Sequence, residues 1–230
     1  MSSRGSTSRR TRESAGDGGV PFTITKNAHV ETAARALFGH NVADATLAKL
    51  GGAQPGDTVK LSGAPDGHLL MVNVDAPDGS HFTWRGISRT GSAALHILNM
   101  SLAIHASGQQ QGLGTRILAT QVKATARLGV RYLVTTGARG DDPANPVSGY
   151  KAWPALGYNA RIPASLRGSL PDTLTGARTL LDLYALPGGR AWWAQHGIPT
   201  QMYFNLRAGS RSRQVLAAAL KRRGIKWSEL

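Results

Sequence analysis

The sequence predicts a mixed α/β fold: a central sheet of mixed strand direction with flanking helices, a disordered basic N-terminal arm and a basic C-terminal helix. Three observations carry this reading. First, short β-rich runs at residues 58–62, 68–74 and 82–88 are separated by Ala64-Pro65-Asp66-Gly67 and Ala76-Pro77-Asp78-Gly79. Both are Pro-Asp-Gly turns, in which proline presets one dihedral and glycine permits the reversal, so the three runs read as an antiparallel meander. Second, Leu98, Met100, Leu102 and Ile104 alternate with Asn99, Ser101, Ala103 and His105, a period of two that marks a strand. Third, that strand leads through a glycine loop into a helical pattern and then into the β-branched run 130–135. A strand, helix, strand succession of this kind predicts two parallel strands joined by a right-handed crossover.

The elements outside this core follow from the same rules. Val30, Ala33, Ala34, Leu37 and Phe38 recur at helical spacing, with Gly39 as the stop, and residues 42–50 form a second helical stretch before Gly51-Gly52. Residues 115–128 read as a helix with Leu113, Ile117, Ala124 and Leu128 along one side and Gly129 as terminator. Residues 148–156 read as a short helix carrying Tyr150 and Trp153, 159–177 as an inserted loop or short helix, and 201–206 as a late strand. The closing helix spans 212–223, with Ser212 as its N-cap. Trp192-Trp193, two of only five tryptophans in the chain, read as a plug at the sheet edge, because tryptophan buries a large area. The organisation expected is therefore an arm at 1–20, one domain at 21–206 and the basic segment 207–230.

Composition narrows the function classes. The chain has 230 residues, 41% of them hydrophobic, and 27 Lys and Arg against 13 Asp and Glu, a formal charge of +14. No cysteine is present, which excludes disulfide scaffolds, thiol catalysis and cysteine-held zinc. Seven histidines occur without a metal-ligand spacing or a carboxylate cluster, so no metal is expected. No apolar run reaches the roughly 18–20 residues that span a bilayer. The basic N-terminal residues are not followed by an apolar signal region. A membrane partner is not expected, and the expected location is the cytoplasm. Residues 1–20 carry a net +2 and residues 207–230 a net +6, so the basic termini are candidate contacts to nucleic acid.

The loop after the alternating strand carries the chemistry. A glycine turn between a strand and a helix gathers backbone N–H groups at the positive end of the helix, a geometry that suits phosphate. The P-loop pattern fails for want of its lysine, and the dinucleotide fingerprint fails because Ile117 stands where a small residue is needed. A third pattern, Gln/Arg-x-x-Gly-x-Gly/Ala, is matched by Gln109-Gln110-Gln111-Gly112-Leu113-Gly114. On these residues the sequence resembles the GNAT superfamily of acetyl-CoA-dependent N-acyltransferases, through residues 97–158 and, by strand order, back to about residue 22.

That resemblance implies a fold, a cofactor and a set of roles. The loop amides would hold the pyrophosphate of acetyl-CoA, and the preceding strand would splay from its neighbour and bond the pantetheine arm. Carried over by position, the cofactor contacts are Leu102, Ala103, Ile104, Gln109, Gln110, Gln111, Gly112, Leu113, Gly114 and Thr115, with Asn145 either holding the cofactor or capping the next helix. The segment from Gly149 to Tyr158 is similar to the family's second motif, a short helix ending in Gly-aromatic. The family's catalytic tyrosine position is occupied here by Trp153, and the nearest hydroxyl is Tyr150, the candidate acid for the departing thiolate. A glutamate base is not available, since Glu31 is the only glutamate between residues 14 and 228. His105, at the strand's end, is the candidate base, with His96, Asp75, Asp141 or a water chain as alternatives. The resemblance implies an acetyltransferase acting on an amine, with protein N-terminus, lysine, polyamine and antibiotic all open as acceptors. The alternative is a catalytically inactive module of the same fold that binds nucleic acid or an assembly partner.

Overall fold

The computed structural model describes residues 9–11, 22–90, 94–105, 111–126, 128–138 and 149–230. These divide into two compact units, Met1–Arg131 with Ile225–Leu230, and Tyr132–Gly224. The segment 207–230, expected as one appended helix, contributes to both units. Both units mix helices and strands, so the α/β class holds.

The first unit is built on six strands in sequence order: β1 (Arg9–Thr11), β2 (Thr23–Lys26), β3 (Thr58–Gly63), β4 (Leu69–Asp75), β5 (His81–Thr90) and β6 (Ala94–Ile104). β2 and β3 are parallel, and the remaining neighbours are antiparallel. The β3–β4–β5 meander is the one expected from the two Pro-Asp-Gly turns. β1 falls within the arm expected to be disordered; the rest of residues 1–20 lies outside the described residues. Helices α1 (Val30–Phe38), α2 (Asp44–Leu50) and α3 (Leu113–Thr125) flank this sheet. Their cover explains why Val59, Leu61, Leu70, Val72, Val74, Ile87 and Ile97 are wholly buried. Lys26 ties the helices to the sheet, its ammonium lying 2.7 Å from Asp44 and 3.3 Å from Glu31.

β6 departs from the simple alternation. The register runs Arg85↔Asn99 and then Trp84↔Ser101, so Met100 opposes no residue and forms a bulge. Leu95, Ile97 and Asn99 are buried, whereas Met100 is exposed. Side chains before and after the bulge therefore fall out of phase, and Leu98, Met100, Leu102 and Ile104 do not share one inward face as their spacing predicts. Leu69, Phe82, Trp84, Met100 and Trp227 are the exposed large apolar residues among the described residues of this unit.

The second unit pairs β7 (Tyr132–Gly137) antiparallel with β8 (Thr200–Asn205). Around them are α4 (Gly149–Ala155), α5 (Ala164–Arg167), α6 (Leu180–Ala185), α7 (Gly189–His196) and α8 (Arg211–Arg222). Trp193 has no exposed surface and Trp192 is also buried, as a plug requires. Trp153, Tyr158 and Phe204 continue this core, with ring centroids 4.9 Å and 5.5 Å apart in succession.

The N-cap of α8 is Ser210, not Ser212. Ser210 is extended and accepts from the Arg213 amide, while Ser212 is buried in the first turn and accepts from Asn205 N at 3.1 Å. α6 starts with a reciprocal capping box between Thr179 and Asp182. Burial pushes the Asp182 carboxyl upward, but the donors Thr179, Arg211 and Arg178 outweigh it and hold the carboxyl below its ordinary range. A group so depressed stabilises the fold above its unfolded pKa and loses that contribution as pH falls through the lowered value. Asp182→Asn is accordingly expected to cost about 1 kcal/mol at neutral pH. The difference from the wild type should shrink toward zero in acid, as read from urea midpoints across the pH range.

Candidate functional site

The end of β6, the turn into α3 and the first turn of that helix form the candidate site in the first unit. Gly112 is the N-cap of α3 with φ 77°, in the left-handed region, and no side-chain hydrogen bond caps the helix. A residue with a Cβ is strained in that conformation. Glycine also supplies no side-chain acceptor to the first-turn amides, which face the positive end of a 13-residue helix. Leu113, Gly114 and Thr115 make up that turn. Gly114 has a second reason to be glycine: an added Cβ would lie 2.8 Å from Ile104 Cδ1. Its smallness thus lets α3 approach the end of β6.

A buried amide pair holds α3 in this place. Asn99 donates to Gln121 Oε1 at 3.1 Å, and Gln121 donates to Asn99 Oδ1 and to Leu50 O, each at 2.9 Å. All these groups are satisfied, so the pair fixes β6, α2 and α3 relative to one another without an orphaned polar atom. On the opposite strand Arg85 is 1% exposed. Its guanidinium donates to Trp84 O at 3.1 Å and to Ser101 O, the cross-strand pair on one side of the bulge. Burying a guanidinium is costly, and these two bonds from Nη1 offset part of that cost beside the place where the ladder is interrupted. Sequence reasoning missed Arg85, although the inward run His81, Thr83, Arg85, Ile87 carries the signal as a charged residue at a buried phase.

The strand's end is anchored by a second buried group. His81 Nε2 lies 3.1 Å from Asp57 Oδ2 and Nδ1 lies 3.3 Å from Ser80 Oγ, with His81 and Asp57 both buried. Ser80 O accepts from His105 N at 2.8 Å. His105, the candidate base, is exposed, with its ring tilted 6.4 Å from that of Phe82. Of the alternatives, His96 is half-buried beside Ser88 Oγ at 3.4 Å, and Asp75 is exposed at the end of β4.

The sequence-predicted residues are distributed over both units. Leu102, Ala103 and Ile104 end β6, and Gln111 with Gly112 forms the turn into α3. Gln109, Gln110, Asn145 and Asp141 lie outside the described residues. Tyr150 lies in α4 of the second unit, 5% exposed, and its hydroxyl donates to Ala194 O at 2.8 Å. Trp193 Nε1 donates in turn to Tyr150 O at 2.8 Å. These bonds give Tyr150 a structural part in joining α4 to α7. Nearby Tyr184 donates to Lys151 O at 2.9 Å. Burial pushes its phenol up to about 12, against the lowering effect of Arg190.

Tyr150→Phe leaves the Ala194 carbonyl without that donor and is expected to cost about 1 kcal/mol. A role for the phenol in proton transfer would add a fall in turnover with unchanged acetyl-CoA affinity. Denaturation and kinetics on the same variant separate the two contributions.

Among the described residues no group of three or more His, Asp or Glu is arranged to hold a metal, and no helix is long and apolar enough to cross a membrane. No family model matches the sequence, and no curated protein matches it.

Proposed function

We propose that the protein is an N-acyltransferase that moves an acetyl group from acetyl-CoA to an amine in a single ternary complex. The observation that carries this reading is the left-handed Gly112 at the head of α3, the helix that follows β6 in the chain. It supports diphosphate binding because the N-cap residue, a glycine, places no side chain of its own over the first-turn amides. The residues fit such a group: Gly112, Leu113, Gly114 and Thr115 would hold the diphosphate, and the backbone of Leu102 to Ile104 the pantetheine arm. When bound, acetyl-CoA supplies an activated carbon, on which the amine nitrogen forms its C–N bond as the C–S bond breaks and a proton passes from nitrogen to sulfur. His105 is the candidate acceptor of the amine proton, and Tyr150 the candidate donor to sulfur. For Tyr150 this requires its hydrogen bond to Ala194 O to be given up.

A second reading is favoured by that same engaged hydroxyl and by the scarcity of glutamate: a module of this fold without catalysis, binding nucleic acid or an assembly partner through basic segments. Titration calorimetry with acetyl-CoA decides between them, followed by release of free CoA over a panel of amines. Heat of binding with CoA release supports the enzyme. No heat, together with nucleic-acid binding that weakens steeply with salt, supports the module.

A further inference from the structure

The second unit contains a cleft of about 290 Å³ that none of the roles above uses, lined among others by Asn159, Arg161, Tyr203, Asn205, Arg211 and Ser212. Its charged side chains are cationic, and its two amide side chains present N–H groups. Asn159 Oδ1 accepts from Leu181 N at 3.1 Å and Asn205 Oδ1 accepts from Arg207 N at 2.9 Å. Each amide oxygen is held by a backbone N–H, and neither NH2 group bonds to a described residue. Arg161 is exposed, and its guanidinium likewise makes no hydrogen bond to a described residue. Arg211 uses one nitrogen on Asp182 and another on Leu181 O at 2.8 Å. Among the described residues no carboxylate lines the cleft.

The surroundings reinforce this cationic character. Among the described residues of the second unit, eleven Lys and Arg stand against two acids, Asp172 and Asp182. The Arg211–Asp182 contact is the one ion pair found among them. The charged groups lining the cleft are the guanidiniums of Arg161 and Arg211, and beside them stand amide N–H donors and the hydroxyls of Thr179, Tyr203, Ser210 and Ser212, which can donate as well as accept. This lining matches a ligand that accepts hydrogen bonds and carries negative charge. The donors of one guanidinium and two amides outnumber the roughly four lone-pair sites of a carboxylate and suit the three oxygens of a phosphoryl group.

We propose that this cleft binds the phosphoryl group of a small phosphate monoester, with Arg161 and the amides of Asn159 and Asn205 as its donors. The proposal is independent of the glycine loop, which belongs to the other unit.

The test follows the guanidinium Nε–H and Asn side-chain resonances of the full-length protein by NMR, titrated with glycerol 3-phosphate, inorganic phosphate and succinate. The expected result is saturable shifts of the Arg161, Asn159 and Asn205 resonances with the two phosphates and weak shifts with succinate. Arg161→Gln should weaken the phosphate response about tenfold, the effect of losing a charge-assisted hydrogen bond. Arg161 makes no hydrogen bond to a described residue, so the variant is expected to fold. Lys221→Gln, on the last turn of α8 outside the cleft, should leave the response unaltered, as should Gly112→Asn. An absent response, an equal response to succinate, or equal weakening by Lys221→Gln would each overturn the proposal. Loss of the response in Gly112→Asn would assign the phosphate to the glycine turn instead.

Discussion

Replacing Trp193 with alanine is expected to destabilise the protein by about 3–5 kcal/mol, the range for removing a large buried aromatic side chain. Trp193 has no exposed surface, and its indole N–H donates to Tyr150 O at 2.8 Å. The loss therefore combines a cavity with a buried carbonyl deprived of its donor. Gly197 shows how little room the surroundings leave: a Cβ there would meet Trp193 Cε2 at 2.8 Å and Tyr150 Cδ2 at 2.9 Å. Trp193→Phe, which keeps most of the volume and loses the donor, should recover the larger part of the loss. Urea denaturation followed by far-UV circular dichroism measures both. A loss below about 1 kcal/mol for the alanine variant would mean that α7 is not part of the cooperative core.

The second large effect concerns Gly112. Gly112→Val is expected to abolish acetyl-CoA binding in calorimetry, since the side chain would stand over the first-turn amides of α3. Valine is also strained at a φ of 77°, at a cost of about 1–2 kcal/mol, so misfolding has to be separated from loss of the site. Gly112→Asn separates them, because asparagine tolerates the left-handed region while still placing a side chain above the amides. Loss of binding in a folded Gly112→Asn protein supports the loop assignment. Undiminished affinity in both variants would remove it, and the acyltransferase reading with it.

The meander was legible because its turns carry their own chemistry: proline, aspartate and glycine at Pro65–Gly67 and Pro77–Gly79 reverse the chain whatever it packs against. Gly112 was legible for the same reason, as a local backbone requirement. Less legible was whatever depends on distant partners. The alternation through Met100 gives no sign of a bulge, because the extra residue is itself apolar and the interruption shows only in the pairing with β5. β2 escaped notice because it has four residues, of which only Ile24 is buried. Ser210 and Ser212 are equal as caps by type; the need of Asn205 N for an acceptor decides between them. The hydroxyl of Tyr150 finds its acceptor 44 residues further on, beyond any local pattern.

Because the pairing on either side of Met100 is already in step, excising that one residue would join Asn99 to Ser101 and let β5 and β6 zip without a gap. The interior contacts made by Leu95 and Ile97 would be spared. A single-codon deletion therefore converts a kinked ribbon into a straight one while leaving the hydrophobic foundation in place. Whatever such a shortened chain can no longer do is the work that the surplus residue performs.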